Sequence, residues 1–150
     1  PPLPQELIDQ IREFTPAAGN ILRNPVDYSQ AVMNLDGIGK TLNIVSKWEG
    51  SDFLVTFIRS GQFPGSRISE TQVNYLMSRF SLKQGYLPKP LAVVLEPSIL
   101  PQETEAVLAG IRGCISSGLP VYYSFAAAAN AINLVLNHTE WQSKRVLSED

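Results

Sequence analysis

Asn24-Pro25-Val26-Asp27 sets an amide and a carboxylate on either side of a proline. The proline pushes Asn24 toward extended backbone. The flanking Asn and Asp can bond neighbouring backbone N–H groups and hold the segment in one shape. Two readings stay open: a brace that shapes a loop, or a ligand loop at the carboxyl end of an open α/β sheet. Asn24, Pro25 and Asp27 are its candidate residues. A second polar loop, Ser60-Gly61-Gln62-Phe63-Pro64-Gly65-Ser66-Arg67, follows an apolar run that ends in Arg59. Its glycines, serines and flanking arginines could hold an anion against the N-terminus of the next helix. The alternative is a solvated connection between strand and helix. Ser60 and Gly61 are the candidates there. The third segment is Gly118-Leu119-Pro120-Val121-Tyr122-Tyr123-Ser124, which runs straight into an Ala-rich stretch from Phe125 to Leu136. Ser124 is its candidate.

Other chemistry is weaker. Gly39-Lys40-Thr41 matches the tail of a P-loop, but Asn34 stands where the first glycine belongs. The next apolar run ends in Arg59 rather than a magnesium-holding Asp. The better reading is an ordinary helix start with Asp36 as an acidic cap. The chain has one Cys, Cys114, and one His, His138, so neither a metal cluster nor a Cys–His pair is expected. His138 is expected at a helix C-terminus, where a cation is favoured. Glu96, Glu103 and Glu105 read as a solvated helix start, and nothing marks them as a general acid and base.

The elements that would position these residues alternate between helix and strand. Pro1-Pro2-Leu3-Pro4 reads as an extended lead-in, a linker or cut point. Gln5–Phe14 carries Leu7, Ile8, Ile11 and Phe14 at helical spacing, and Pro4 suits a first turn. A helix is predicted from about Gly37 to Trp48. Phe53–Ile58 is apolar at every position but one, as in a parallel strand covered on both sides. Ser69 with Gln72 offers a cap for a helix over Glu70–Lys83. Leu91–Leu95 is a second buried strand, followed by a helix over Pro101–Ser117 that Gly118 closes. Val121–Tyr123 is a third strand, Phe125–Asn137 the next helix, and Ser143–Asp150 a polar, frayed end. The alternation predicts an α/β fold with a parallel sheet and right-handed crossovers.

The 150 residues suit one domain, enough to bury roughly 68–70% of the unfolded surface without a staple. Hydrophobic content of 44% against 17% charged excludes a disordered chain. Net charge is −2, and no basic block interleaves with aromatics, so no nucleic-acid partner is expected. A single cysteine excludes an internal disulfide framework and points to a reducing cytoplasm. The apolar stretch Phe125–Leu136 contains Asn130 and Asn133 and is too short to cross a bilayer. No signal-peptide pattern opens the chain.

In this order, the Pro-rich lead-in, a helix, Asn-Pro-Val-Asp, two strands, Gly-Leu-Pro-Val-Tyr, the Ala-rich helix and His138-Thr139-Glu140-Trp141 resemble the NDP-forming acyl-CoA synthetases, relatives of succinyl-CoA synthetase. The likeness is to their flavodoxin-like ligase domain and covers residues 1–141, leaving 142–150 as a tail. It implies a three-layer αβα sandwich lacking its first strand and the glycine-rich turn that follows. A groove of unpaired backbone should then remain, inviting self-pairing. It also implies that the parent converts acyl-CoA, NDP and phosphate to acid, CoA and NTP through a phosphohistidine in another domain. CoA, ATP or ADP and Mg²⁺ would belong to the parent, with none bound by this chain, which would be inactive alone. Expected partners are the CoA-binding, phosphohistidine and ATP-grasp domains, with a homo-oligomer also in view and no membrane. Asn24, Pro25, Asp27, Ser60, Gly61 and Ser124 would then lie in ligand or interdomain loops. His138-Thr139 resembles the Ser-His-Thr-Gly setting of the phosphohistidine, but its position at the end of the chain argues for a surface role. The alternative is a free-standing flavodoxin-like binding module. A generic dinucleotide-binding dehydrogenase is disfavoured, because no G-x-G-x-x-G follows a strand.

Overall fold

A computed structural model describes residues 1–15, 19–28, 35–59, 87–96 and 104–146. The predicted helix over Glu70–Lys83 and the loop from Ser60 to Arg67 lie outside the described residues.

Helix α1 spans Gln5–Arg12, with Pro4 at its N-cap position. The Pro4 carbonyl accepts from the N–H groups of Leu7 and Ile8. Its apolar side turns inward, and Ile11 is fully buried. A short hairpin follows, β1 (Ile21–Leu22) antiparallel to β2 (Val26–Asp27). Helix α2 spans Leu35–Ser46. The P-loop-like Gly39-Lys40-Thr41 falls inside this helix rather than in a loop. Lys40 pairs with Asp36 one turn earlier at 2.7 Å and lies over the Phe14 ring. Thr41 is buried and shares a hydrogen bond with the Tyr28 hydroxyl. At the far end of α2, the Lys89 ammonium donates to the Trp48 carbonyl. That places a cation just past the C-terminus of the helix, where positive charge is favoured, on a carbonyl that also accepts from the Ser51 N–H.

Three strands form the main sheet: β3 (Leu54–Arg59), β4 (Leu91–Glu96) and β5 (Val121–Tyr122). They pair in that order and are parallel throughout, from Leu54 opposite Leu91 to Arg59 opposite Glu96, and with Val93 opposite Val121. The groove expected from a missing strand does not fall between these three, which are hydrogen-bonded without interruption. Glu96 closes β4 and is not part of a helix start, because β-pairing carries one residue past the apolar run. Helix α3 spans Thr104–Ser116 and helix α4 spans Phe125–Val146.

Alternation along the strands sorts side chains onto two faces. One face carries Leu54, Ile58, Leu91, Val93 and Val121, packed with Ile38, Leu42 and Val45 of α2 and Cys114 of α3. The other carries Val55, Phe57, Ala92 and Val94, and α4 lies against it through a Phe57–Phe125 ring contact at 5.1 Å. Helices therefore cover both faces, and β4 is buried along its apolar length. Each fully buried branched side chain there stabilises the fold by about 1.5–3 kcal/mol. The even covering predicted for Phe53–Ile58 is not met. Phe53, Val55 and Phe57 remain 39%, 39% and 43% exposed, because α4 lies toward β5 and reaches β3 only at its edge.

Helix α4 also runs further than expected. No proline or glycine interrupts 137–146, and Thr139, Ser143 and the Glu140–Lys144 pair sit on helical spacing. His138 is consequently inside the helix, exposed and stacked on Trp141 at 6.0 Å, not at a C-terminus.

Candidate functional site

The segment from Gly118 to Ser124 folds as a cap, a strand and a second cap. The Gly118 N–H donates to the Ile115 carbonyl and the Leu119 N–H to the Cys114 carbonyl. These two bonds close α3 in the manner that needs a left-handed residue, and Gly118 has φ 76°. Leu119 is then buried in the same cluster as Cys114. Pro120 cannot donate, but its carbonyl accepts from the Val93 N–H at 2.9 Å and seats β5 beside β4. At the other end, the Ser124 Oγ accepts from the Ala127 N–H at 3.1 Å, a side-chain N-cap on α4. Because the sheet is parallel, Ser124 stands at the end where Arg59 and Glu96 close their strands. That is the end where open α/β sheets meet ligands. Ser60 and Gly61 follow Arg59 in the chain but lie outside the described residues.

Asn24, Pro25 and Asp27 belong elsewhere. The Asn24-Pro25 peptide is cis and sits in the turn of the β1–β2 hairpin, a sheet separate from the parallel one. Asp27 pairs through its backbone with Ile21. The Asn24 amide donates to the Pro1 carbonyl at 2.9 Å and ties the hairpin to the lead-in. The bracing reading of this motif is the one these contacts describe. Among the described residues no hydrogen bond joins the hairpin to Ser124.

Sequence reasoning missed an apolar cleft of about 350 Å³ between β3 and α4. Phe53 and Val55 form one wall, and Phe125, Ile132 and Leu136 the other, with Asn133 the one polar side chain among the described residues of the lining. The signal was available in the spacing of Phe125, Ala128, Ile132 and Leu136, which share one helix side. Which strand residues they face was not. Among the described residues the lining holds no titratable group, and its apolar walls suit apolar surface.

Cys114 is fully buried. Loss of hydration pushes its thiol up to about 11, only partly offset by a backbone hydrogen bond. It is a packing residue, not a nucleophile. Among the described residues no group of His, Cys, Asp and Glu could hold a metal ion, and no helix is long and apolar enough to cross a membrane. Comparison with protein-family models, with curated proteins and with solved structures finds no match.

Proposed function

We propose that this chain is the flavodoxin-like domain of an NDP-forming acyl-CoA synthetase, supplying shape and contact surface while other domains carry the chemistry. The coarse architecture supports the reading: a parallel sheet with helices on both faces. The observation that carries it is the unit from Gly118 to Ser124. This motif forms one structural device, ending in a capped helix at the carboxyl edge of the sheet. In this reading CoA, the nucleotide and Mg²⁺ are held by the CoA-binding, phosphohistidine and ATP-grasp domains, in a cytoplasmic enzyme. In this reading the phosphate carrier is a histidine of another domain, and His138, exposed within α4 and stacked on Trp141, has a surface role.

The test begins with the natural polypeptide that carries this segment, sized by peptide-specific detection in its source cell. The expected product is several times larger than this chain. The full protein should turn over nucleotide only with CoA and phosphate, and Ser124→Ala should lower kcat/KM without unfolding it. A product of this chain's size, or a larger one with no CoA-dependent turnover, overturns the reading and leaves a binding module.

A further inference from the structure

Two apolar surfaces lie on the same side of the main sheet. The first is the half-covered face of β3, where Phe53, Val55 and Phe57 open into the cleft beside Phe125 and Leu136. The second is the outward side of α4. Ala127, Ala131, Leu134, His138 and Trp141 recur at alternating steps of four and three and form one stripe. This stripe lies about half a turn from Ile132 and Leu136, which face the cleft. Leu134, Val135 and Trp141 keep 69%, 65% and 56% of their surface. Single exposed leucines need no explanation, but two exposed apolar surfaces on one side of a sheet mark a candidate interaction site.

We propose that this side of the molecule binds a second copy of itself. A two-fold axis would lay the outward stripe of one α4 on the β3 face of its partner and return the same contact. The area is sufficient. Phe53, Val55, Phe57, Phe125, Leu134, Val135, Leu136 and Trp141 are 39–69% exposed. With side chains of ordinary size they offer on the order of 800 Å² per copy, what each partner of a standard stable interface contributes. The two halves also suit each other, since one is a trough beside a helix and the other a helix ridge. An isologous contact requires both on the same patch. Among the described residues no charged side chain lines the cleft, so the trough itself brings no unpaired charge into the contact. Trp141 is the large aromatic anchor such surfaces use, with His138 and Arg145 packed about its ring. This contact depends only on these residues and stands apart from the acyl-CoA synthetase reading.

Sedimentation velocity across the micromolar range decides it, using the 150-residue protein, Leu134→Glu, Val55→Lys and an equimolar mixture of the two variants. The expected result is a dimer for the unaltered chain and at least about tenfold weaker association for each variant alone, with helical circular dichroism retained. The mixture should dimerise again. One of its two contacts keeps both original surfaces and the other sets Glu against Lys. Should Val55→Lys fail to fold, Leu134→Glu alone decides, because Leu134 projects from an exposed helix side. A monomeric unaltered chain, a Leu134→Glu variant that dimerises as well as the original, or a mixture of folded variants that stays monomeric overturns the proposal.

Discussion

Gly118 shows how a single residue's conformation sets the path of a segment. Its φ of 76° is a region that a Cβ disfavours. Gly118→Ala should cost about 1 kcal/mol, read as a lower urea midpoint with an unchanged slope. The sequence pointed to this cap, since a glycine just past a helical run has few other uses. Cys114 is the opposite case. Its solitude was legible, whereas its burial depends on α3 closing over β4. Its folded thiol sits up at about 11, above its unfolded value, so folding favours the protonated form. That contribution is fully present below the unfolded pKa and is lost as pH rises from about 9 to 11, by at most about 3 kcal/mol. Stability of the unaltered chain should therefore fall more steeply across that window than stability of Cys114→Ala. Equal slopes would place the thiol in contact with water.

At the scale of elements, the strength of each segment follows from what it packs against. Leu91 is 1% exposed in the central strand, and Leu91→Ala should cost about 2–5 kcal/mol in thermal or denaturant unfolding. Leu134→Ala, on the outward side of α4, should change the stability of the monomer by less than about 0.5 kcal/mol. Ser124→Ala removes the cap of α4 and should cost about 1 kcal/mol. The three strands and their parallel pairing were legible, because runs such as Leu91–Leu95 are apolar on both faces and alternate with helical spacing. Two features were not. Val26-Asp27 is too short to announce a strand, and its partner Ile21-Leu22 lies across a turn whose shape is set by contact with Pro1. The extension of α4 through Val146 is hidden in the sequence, because Ser143–Asp150 is polar and reads as a frayed end. Polar residues with good helical propensity continue a helix wherever nothing breaks it.

For the whole molecule, the decisive quantity is how unevenly the two faces of the sheet are covered. Among the described residues α2 and α3 fill one face, while α4 lies against the other and Phe53, Val55 and Phe57 of β3 and its approach stay partly exposed. That imbalance should make the solution state of the protein depend on concentration and on Leu134. The chain's composition and periodicity by themselves determined an α/β fold with a parallel sheet, the capping role of Gly118, and the absence of a disulfide framework. These are local or additive properties, read from spacing and residue type. Only the tertiary structure decided that Gly39-Lys40-Thr41 is helix interior, that the Asn24-to-Asp27 motif braces a separate hairpin, and that an apolar cleft opens beside β3. Each of these depends on which residues distant in the chain come into contact. Periodicity marks the apolar side of a helix or strand, but what covers that side is chosen by the packing of the whole fold.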